Sequence, residues 1–195
     1  MLPEPLHSVI IGSLLGDACL ERNGRWWRLR IDHKEEAFAY VEWKYQKLQP
    51  IAAAPPRRVV VWDRRVGRSY KHARLDTRSI PELSWYAERF YPQGQKQIPE
   101  DIASLLTTTL ALAVWYMDDG HRRLDCRALR LNTQAFPRQD VARLVAVLKD
   151  NFAIEGRVHR VVDDQWVIYI PASQAQRFCD QIRHHIPPVM EYKLL

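Results

Sequence analysis

LAVWYMDDG, residues 112–120, closes a long apolar run with two adjacent carboxylates and a glycine, and the positive charge of Arg122 and Arg123 follows at once. The uncharged run starts at Ile102 and ends at Met117. It is short for a membrane span and holds Ser104 and Thr107 to Thr109, so it reads as a core helix. Asp118 and Asp119 then sit where the helix dipole disfavours anions by about 0.3–1 kcal/mol. Burial at a helix–helix contact would add to that cost. Taken alone, the pair reads as a solvated helix end with Gly120 as a C-cap. A second stretch, GSLLGDA at 12–18, also ends an apolar helix on an acid, Asp17, and asks for a shared explanation.

Composition sets the frame. Of 195 residues, 47% are hydrophobic, enough for one sizeable domain or two small halves around a common core. Lys and Arg number 29 against 23 Asp and Glu, a formal charge of +6, which points to a polyanionic partner. Cys19, Cys126 and Cys179 are widely spaced with no CxxC, as expected of a reducing compartment such as a bacterial cytoplasm or an organelle. With no HExxH either, zinc is not expected. MLPEPLHS lacks a basic region followed by an apolar one, so no secretory signal is expected.

The chain reads as one pattern given twice. The first pass predicts a helix over about 5–17, a strand over 25–32 and an amphipathic helix over 35–49. That helix is carried by Ala37, Phe38, Val41, Tyr45 and Leu48. Two strands turning near 65–67 and a helix over 80–90 follow. The second pass predicts a helix over 101–119, strands within 122–134 and a helix over 138–152. A hairpin over 157–170 and a helix over 172–185 complete it. Asp17 and Asp119 lie 102 residues apart, and at that offset Arg28 falls on Arg130, Leu29 on Leu131 and Glu36 on Arg138 without a gap. Each half also closes on a lysine, Lys96 and Lys193. Repeats of this kind predict an α+β fold of two related halves, 1–100 and 101–195.

Two related helices lying side by side would bring Asp17 and Asp119 together. Carboxylates and helix-end carbonyls are hard oxygen ligands suited to Mg²⁺, which serves phosphodiester hydrolysis by activating water and stabilising the leaving oxygen. Gly12, Gly16, Ala111 and Ala113 are small enough for close helix approach. Lys96 and Lys193 would stabilise developing negative charge. Cations crowd the segments of strand composition. They are Arg25, Arg28, Arg30, Arg57, Arg58, Arg64, Arg65, Arg68, Lys71, Arg74 and Arg78 in one half, and Arg122, Arg123, Arg127, Arg130, Arg157 and Arg160 in the other. A sheet with one arginine-rich face can enter a DNA major groove, most of its cations meeting phosphates and fewer reading bases.

GSLLGDA and LAVWYMDDG resemble the paired motifs of single-chain LAGLIDADG homing endonucleases, nearest to the yeast mitochondrial intron-encoded type. LRLNTQAF (129–136), VIYIPAS (167–173) and IPPVMEYKL (186–194) extend the likeness over nearly the whole chain. The resemblance implies two pseudo-symmetric α-β-β-α-β-β-α halves with antiparallel, saddle-shaped sheets and a central two-helix interface. It implies a monomer that cuts both strands of a long asymmetric duplex across the minor groove, with no membrane and no obligate protein partner. Asp17 and Asp119 would hold Mg²⁺, with Mn²⁺ or Ca²⁺ able to substitute in binding, and the carbonyls of Gly16 and Asp118 would help. Lys96 and Lys193 map onto the active-site lysines, and Arg30 falls where members of the family often carry a polar residue near the metal-bound water, which leaves its role open. The first motif carries one acid rather than two, and Val114 stands where the second helix would carry a glycine. Asp118 is therefore expected to act as a capping or supporting carboxylate rather than a third ligand. A catalytically silent member, an intron-RNA maturase or DNA-binding regulator, is the alternative.

Overall fold

The computed structural model describes residues 1–195. Its first half runs α1 (Leu6–Leu15), β1 (Cys19–Asn23), β2 (Trp26–Lys34), α2 (Phe38–Leu48), β3 (Arg57–Asp63), β4 (Arg68–Asp76) and α3 (Pro81–Phe90). The second runs α4 (Ile102–Leu105), α5 (Thr109–Asp119), β5 (Gly120–Arg122), β6 (Leu129–Leu131), α6 (Arg138–Phe152), β7 (Arg157–Val162), β8 (Gln165–Ile170) and α7 (Ala172–Ile182). Each half forms a four-stranded antiparallel sheet of the same order, β1-β2-β4-β3 and β5-β6-β8-β7. One contiguous core joins them, from Val9, Ile10 and Leu14 of α1 through Trp115 of α5 to Phe178 of α7. No helix is long and apolar enough to cross a membrane.

Several local expectations need correction. The apolar run predicted as one helix over 101–119 is two. The backbone leaves helical geometry at Leu106, and Thr108 then caps α5 by accepting the Ala111 N–H at 3.1 Å. A threonine side chain that satisfies an orphan donor starts a helix better than it continues one. The carbonyls of Ala103 and Leu106 are taken by Asn151 of α6, at 2.8 Å each. At the other motif, α1 ends at Leu15, so Gly16 and Asp17 lie in the turn beyond it. β1 was absent from the expected elements, because CLERN mixes charge with apolar residues. Its one buried side chain is Leu20.

The gapless offset of 102 also fails beyond the first strands. Cys19 faces Arg30 across β1–β2, and His121 faces Arg130 across β5–β6. Buried Leu29 and Ile31 flank Arg30 just as buried Leu129 and Leu131 flank Arg130. Arg30, not Arg28, is therefore the counterpart of Arg130. The starts of α2 and α6 at Phe38 and Arg138 keep the same offset of 100. The second hairpin is two residues shorter than the first, which an ungapped comparison hides.

Candidate functional site

α1 and α5 pack against each other at the centre. A Cβ on Gly12 would lie 2.6 Å from Val114 Cβ and against the Ala111 carbonyl, and one on Gly16 would lie 2.6 Å from Asp118 Oδ2. Both glycines thus make room for α5. Val114 fills the space that Gly12 leaves, so the large residue on one helix meets the missing side chain on the other. Ala111 and Ala113 are both wholly buried. This approach brings the ends of the two helices, with Asp17, Asp118 and Asp119, into one place.

The three acids have different surroundings. Asp118 is fully buried and accepts from Lys44 Nζ at 2.8 Å to each oxygen, and from Tyr40 Oη at 2.8 Å. Its Oδ2 also takes the Asp17 N–H at 3.4 Å. Burial pushes its carboxyl up, but Lys44, His33 and the hydrogen bonds outweigh that and hold it below the ordinary range. Asp118 is a charged structural carboxylate. Asp17 remains 46% exposed at its side chain. Burial and the Asp118 charge push it up, against the pull of Lys44, Lys193 and Lys96. Asp119 is pushed up to about 7 by burial and by the charges of Asp17 and Asp118.

Each lysine closes one helix. Lys96 Nζ donates to the carbonyls of Gly16 and Ala18 at 2.7 and 2.9 Å, after α1. Lys193 Nζ donates to those of Met117 and Asp118 at 2.5 and 3.4 Å, at the end of α5. Ammonium groups at helix C-termini satisfy orphan carbonyls and complement the dipole. Burial pushes both lysines down, and the surrounding acids oppose it. The irregular segment holding Lys96 is pinned by the other half: Ile98 donates to Asp140 and accepts from Arg143, both of α6.

Two residues here escaped the sequence reading. His33, at the end of β2, sits with Nδ1 3.4 Å from Asp17 Oδ2 and Nε2 3.6 Å from Asp118 Oδ1, and Nε2 is buried without a hydrogen bond. Burial pulls its pKa down to about 4. Its signal was positional: it continues the face of Leu29 and Ile31, where a polar residue is out of pattern. Lys44 lies between Tyr40 and Leu48 on the buried stripe of α2, which uses Tyr40, Val41, Lys44 and Leu48; the expected Tyr45 is only partly buried. A lysine in that stripe demands an anion.

A divalent cation fits Asp17 and Asp119, two hard carboxylates that burial and neighbouring negative charge hold high, so that a cation would relieve them. Asp17, His33 and Asp118 also offer donor atoms within 4.8 Å of one another. Asp118 is the poor member of that trio, because an ion on its oxygens would confront the Lys44 ammonium at hydrogen-bonding range. A cavity of about 390 Å³ opens beside the cluster, lined by Asp17, His33, Tyr40, Met117, Asp118 and Lys193 among others.

Both sheets turn one face to the helices and leave the other open. In the first sheet, residues alternating with buried Leu29, Ile31, Ala73 and Leu75 place Arg28, Arg30, Arg57 and Arg74 on the open face. Lys71 and Arg58 lie on the opposite face and reach Glu35 at 4.0 and 2.9 Å. Arg25, Arg64, Arg65 and Arg68 occupy the hairpin tips, Arg65 against Asp63 at 3.2 Å. Arg78, outside the sheet, donates to the Pro50 carbonyl. In the second sheet, Arg130 and Arg157 lie on the open face with Tyr169 between them. Arg123, just past β5, pairs with Asp125, and Arg127 is exposed in the turn. Arg122 faces Leu129 and Arg160 faces Trp166, which puts both on the helix side of the sheet.

The family profile described as LAGLIDADG DNA endonuclease family matches residues 7–178, most of the chain. The chain belongs to that family. It is 29% identical to the DNA endonuclease I-ChuI of Chlamydomonas applanata, over 99% of this chain and 95% of that protein. It is 26% identical to the cytochrome b mRNA maturase bI2 of Debaryomyces hansenii, over 99% of this chain and 74% of the maturase. The solved structure of the homing endonuclease I-WcaI, bound to its DNA recognition sequence, superposes with a TM-score of 0.86 at 25% identity, covering 100% of this chain and 88% of that one. The LAGLIDADG resemblance and the α+β architecture of paired sheets are thereby established.

Proposed function

We propose that this chain is a monomeric, site-specific homing endonuclease that hydrolyses one phosphodiester in each strand of a long asymmetric duplex, across the minor groove. The observation that carries this reading is the meeting of two helix ends, each bearing an acid, Asp17 or Asp119, and each closed by its own lysine. Mg²⁺, held by Asp17 and Asp119 with help from the carbonyls of Gly16 and Asp118, would supply an activated water and a stabilised leaving oxygen. Lys96 at the end of α1 and Lys193 at the end of α5 would turn from those carbonyls toward charge developing on the phosphate. Asp118, fixed by Lys44 and Tyr40, holds the α5 end and the Asp17 backbone in place. The open faces of the two sheets would follow the DNA, as the I-WcaI complex with its recognition sequence suggests. A reducing compartment is proposed on sequence grounds alone, from the wide spacing of Cys19, Cys126 and Cys179 with no CxxC.

The maturase bI2 supports a second reading, in which the scaffold binds an intron RNA and does not cut. Retention of Asp17, Asp119, Lys96 and Lys193 favours the nuclease. Incubating the protein with a randomised duplex library, with and without Mg²⁺, and sequencing the cut ends decides between them. A recurring long site cut only with Mg²⁺ is expected. Binding of duplex without cleavage, or tighter binding to a structured intron RNA, would overturn the nuclease reading.

A further inference from the structure

The pseudo-symmetric arginines Arg30 and Arg130 have opposite electrostatic surroundings. Arg30 donates to Asp76 at 2.8 Å and to Glu21 at 2.7 Å. The same acids take Arg57 at 2.6 Å and Arg28 at 3.0 Å, and Asp32 takes both Arg74 and His72. Across the centre of the first open face, every arginine is already joined to a carboxylate. The second sheet has replaced those acids. Where Arg30 faces Cys19 and Asp76, Arg130 faces His121 and Tyr169, and β5 to β8 carry no Asp or Glu at all. Arg130 Nε is buried and has no hydrogen-bond partner. Besides burial, Arg130, Arg157 and Arg123 pull the neighbouring His159 below the ordinary histidine range.

We propose that the two sheets divide recognition: around Arg130 the second sheet anchors the duplex through its phosphates, while around Arg30 the first sheet reads base edges. This rests on the nuclease reading above and adds a division of labour to it. The chemistry differs because an arginine without an internal anion gains a full charge-assisted contact from a phosphate and releases a counterion from the DNA. An arginine that already holds a carboxylate gains little from a phosphate, and the carboxylate repels it. The same Arg–carboxylate pair suits a G·C pair in the major groove, arginine donating to guanine O6 and N7 while the acid accepts from cytosine N4. Fixed partners also hold these side chains in one geometry, as base readout needs.

Matched substitutions test this. The affinity of the parent, Arg130→Gln and Arg30→Gln for a random-sequence duplex is measured between 50 and 200 mM salt, the range over which phosphate contacts register. Arg130→Gln is expected to flatten the log–log salt slope by about 0.9, one phosphate contact. Arg30→Gln is expected to keep the parental slope and instead to relax base preference at one position of the selected cleavage site by about 5- to 150-fold. Arg157→Gln and Arg74→Gln repeat the comparison at a second open-face arginine of each sheet and guard against a misfolded variant. Equal losses of slope in the two sheets, in a parent that binds and cuts DNA, would overturn the division and leave the nuclease reading standing. A parent that neither cuts DNA nor binds it in a salt-dependent way would overturn both.

Discussion

Lys44 reaches across from α2 of the first half to bond both carboxylate oxygens of Asp118 on α5 of the second, at 2.8 Å each, and neither side chain has any exposed surface. The pair is unsymmetrical by construction: at the offset of 100 that relates α2 to α6, Lys44 falls on Leu144, and the first motif carries Gly16 where the second carries Asp118. The extra acid of the second motif is thus answered by one lysine rather than by a second copy of itself.

Removing one partner of a buried ion pair strands the other, which costs about 3–5 kcal/mol, whereas replacing both with apolar groups is often neutral. Lys44→Met is expected to lower unfolding free energy by about that amount, and Lys44→Met with Asp118→Leu to recover most of it. Urea unfolding of the three proteins checks this. A single variant within about 1 kcal/mol of the parent would show that the pair is not needed to keep Asp118 charged.

The closeness of α1 and α5 gives a packing prediction. Gly12→Ala would drive a methyl into Val114 and the Ala111 carbonyl, both in a filled core, and is expected to cost about 1–3 kcal/mol. Gly12→Ala with Val114→Ala frees that methyl's space and should recover part of the loss. Thermal unfolding of both variants reads the outcome, and an unaltered midpoint for Gly12→Ala alone would mean that the helices can part.

Asp119 has the clearest pH signature. Its carboxyl is held near 7 in the folded chain, above its unfolded value, so the native state binds the extra proton between about pH 4 and 7. Stability from this group is present at low pH and declines as pH rises through 7. His33, pulled down to about 4, acts in the opposite sense below its unfolded value of about 6.5, so it costs stability as pH falls toward 4. In the absence of divalent ions, Asp119→Asn should therefore exceed the parent in stability at pH 8, with the gain shrinking toward pH 4. A difference between the two proteins that does not change with pH would contradict the assignment.

His33 touches Asp17 without being one of the two proposed acid ligands. Groups that orient a metal-binding carboxylate typically change metal affinity or activity by 10–100-fold when removed. His33→Ala should raise the Mg²⁺ concentration needed for half-maximal cleavage by about that factor while duplex affinity at fixed salt stays near the parental value. An unchanged Mg²⁺ requirement would make His33 a packing residue.

Much of this was legible in the sequence because it depended on residue type at a repeated spacing. GSLLGDA and LAVWYMDDG placed two acids on two helix ends, Lys96 and Lys193 recurred after the last helix of each half, and Gly12 and Gly16 signalled close backbone approach. What escaped depended on partners distant in the chain. His33 and Lys44 stand out of pattern on buried faces, but the anions that explain them, Asp17 and Asp118, are distant in the chain. The face taken by Lys71, Arg122 or Arg160 follows from a pairing register that composition does not set. The two-residue contraction of the second hairpin concealed that Arg30, with its carboxylates, is the counterpart of the unpartnered Arg130.

The central claim is that Asp17 and Asp119 together form the cutting centre. It is tested most directly by strand-resolved cleavage of the selected duplex by the parent, Asp17→Asn and Asp119→Asn in Mg²⁺. Loss of double-strand cleavage in both variants, with duplex binding retained, is the expected result; double-strand cleavage that survives both substitutions would contradict it.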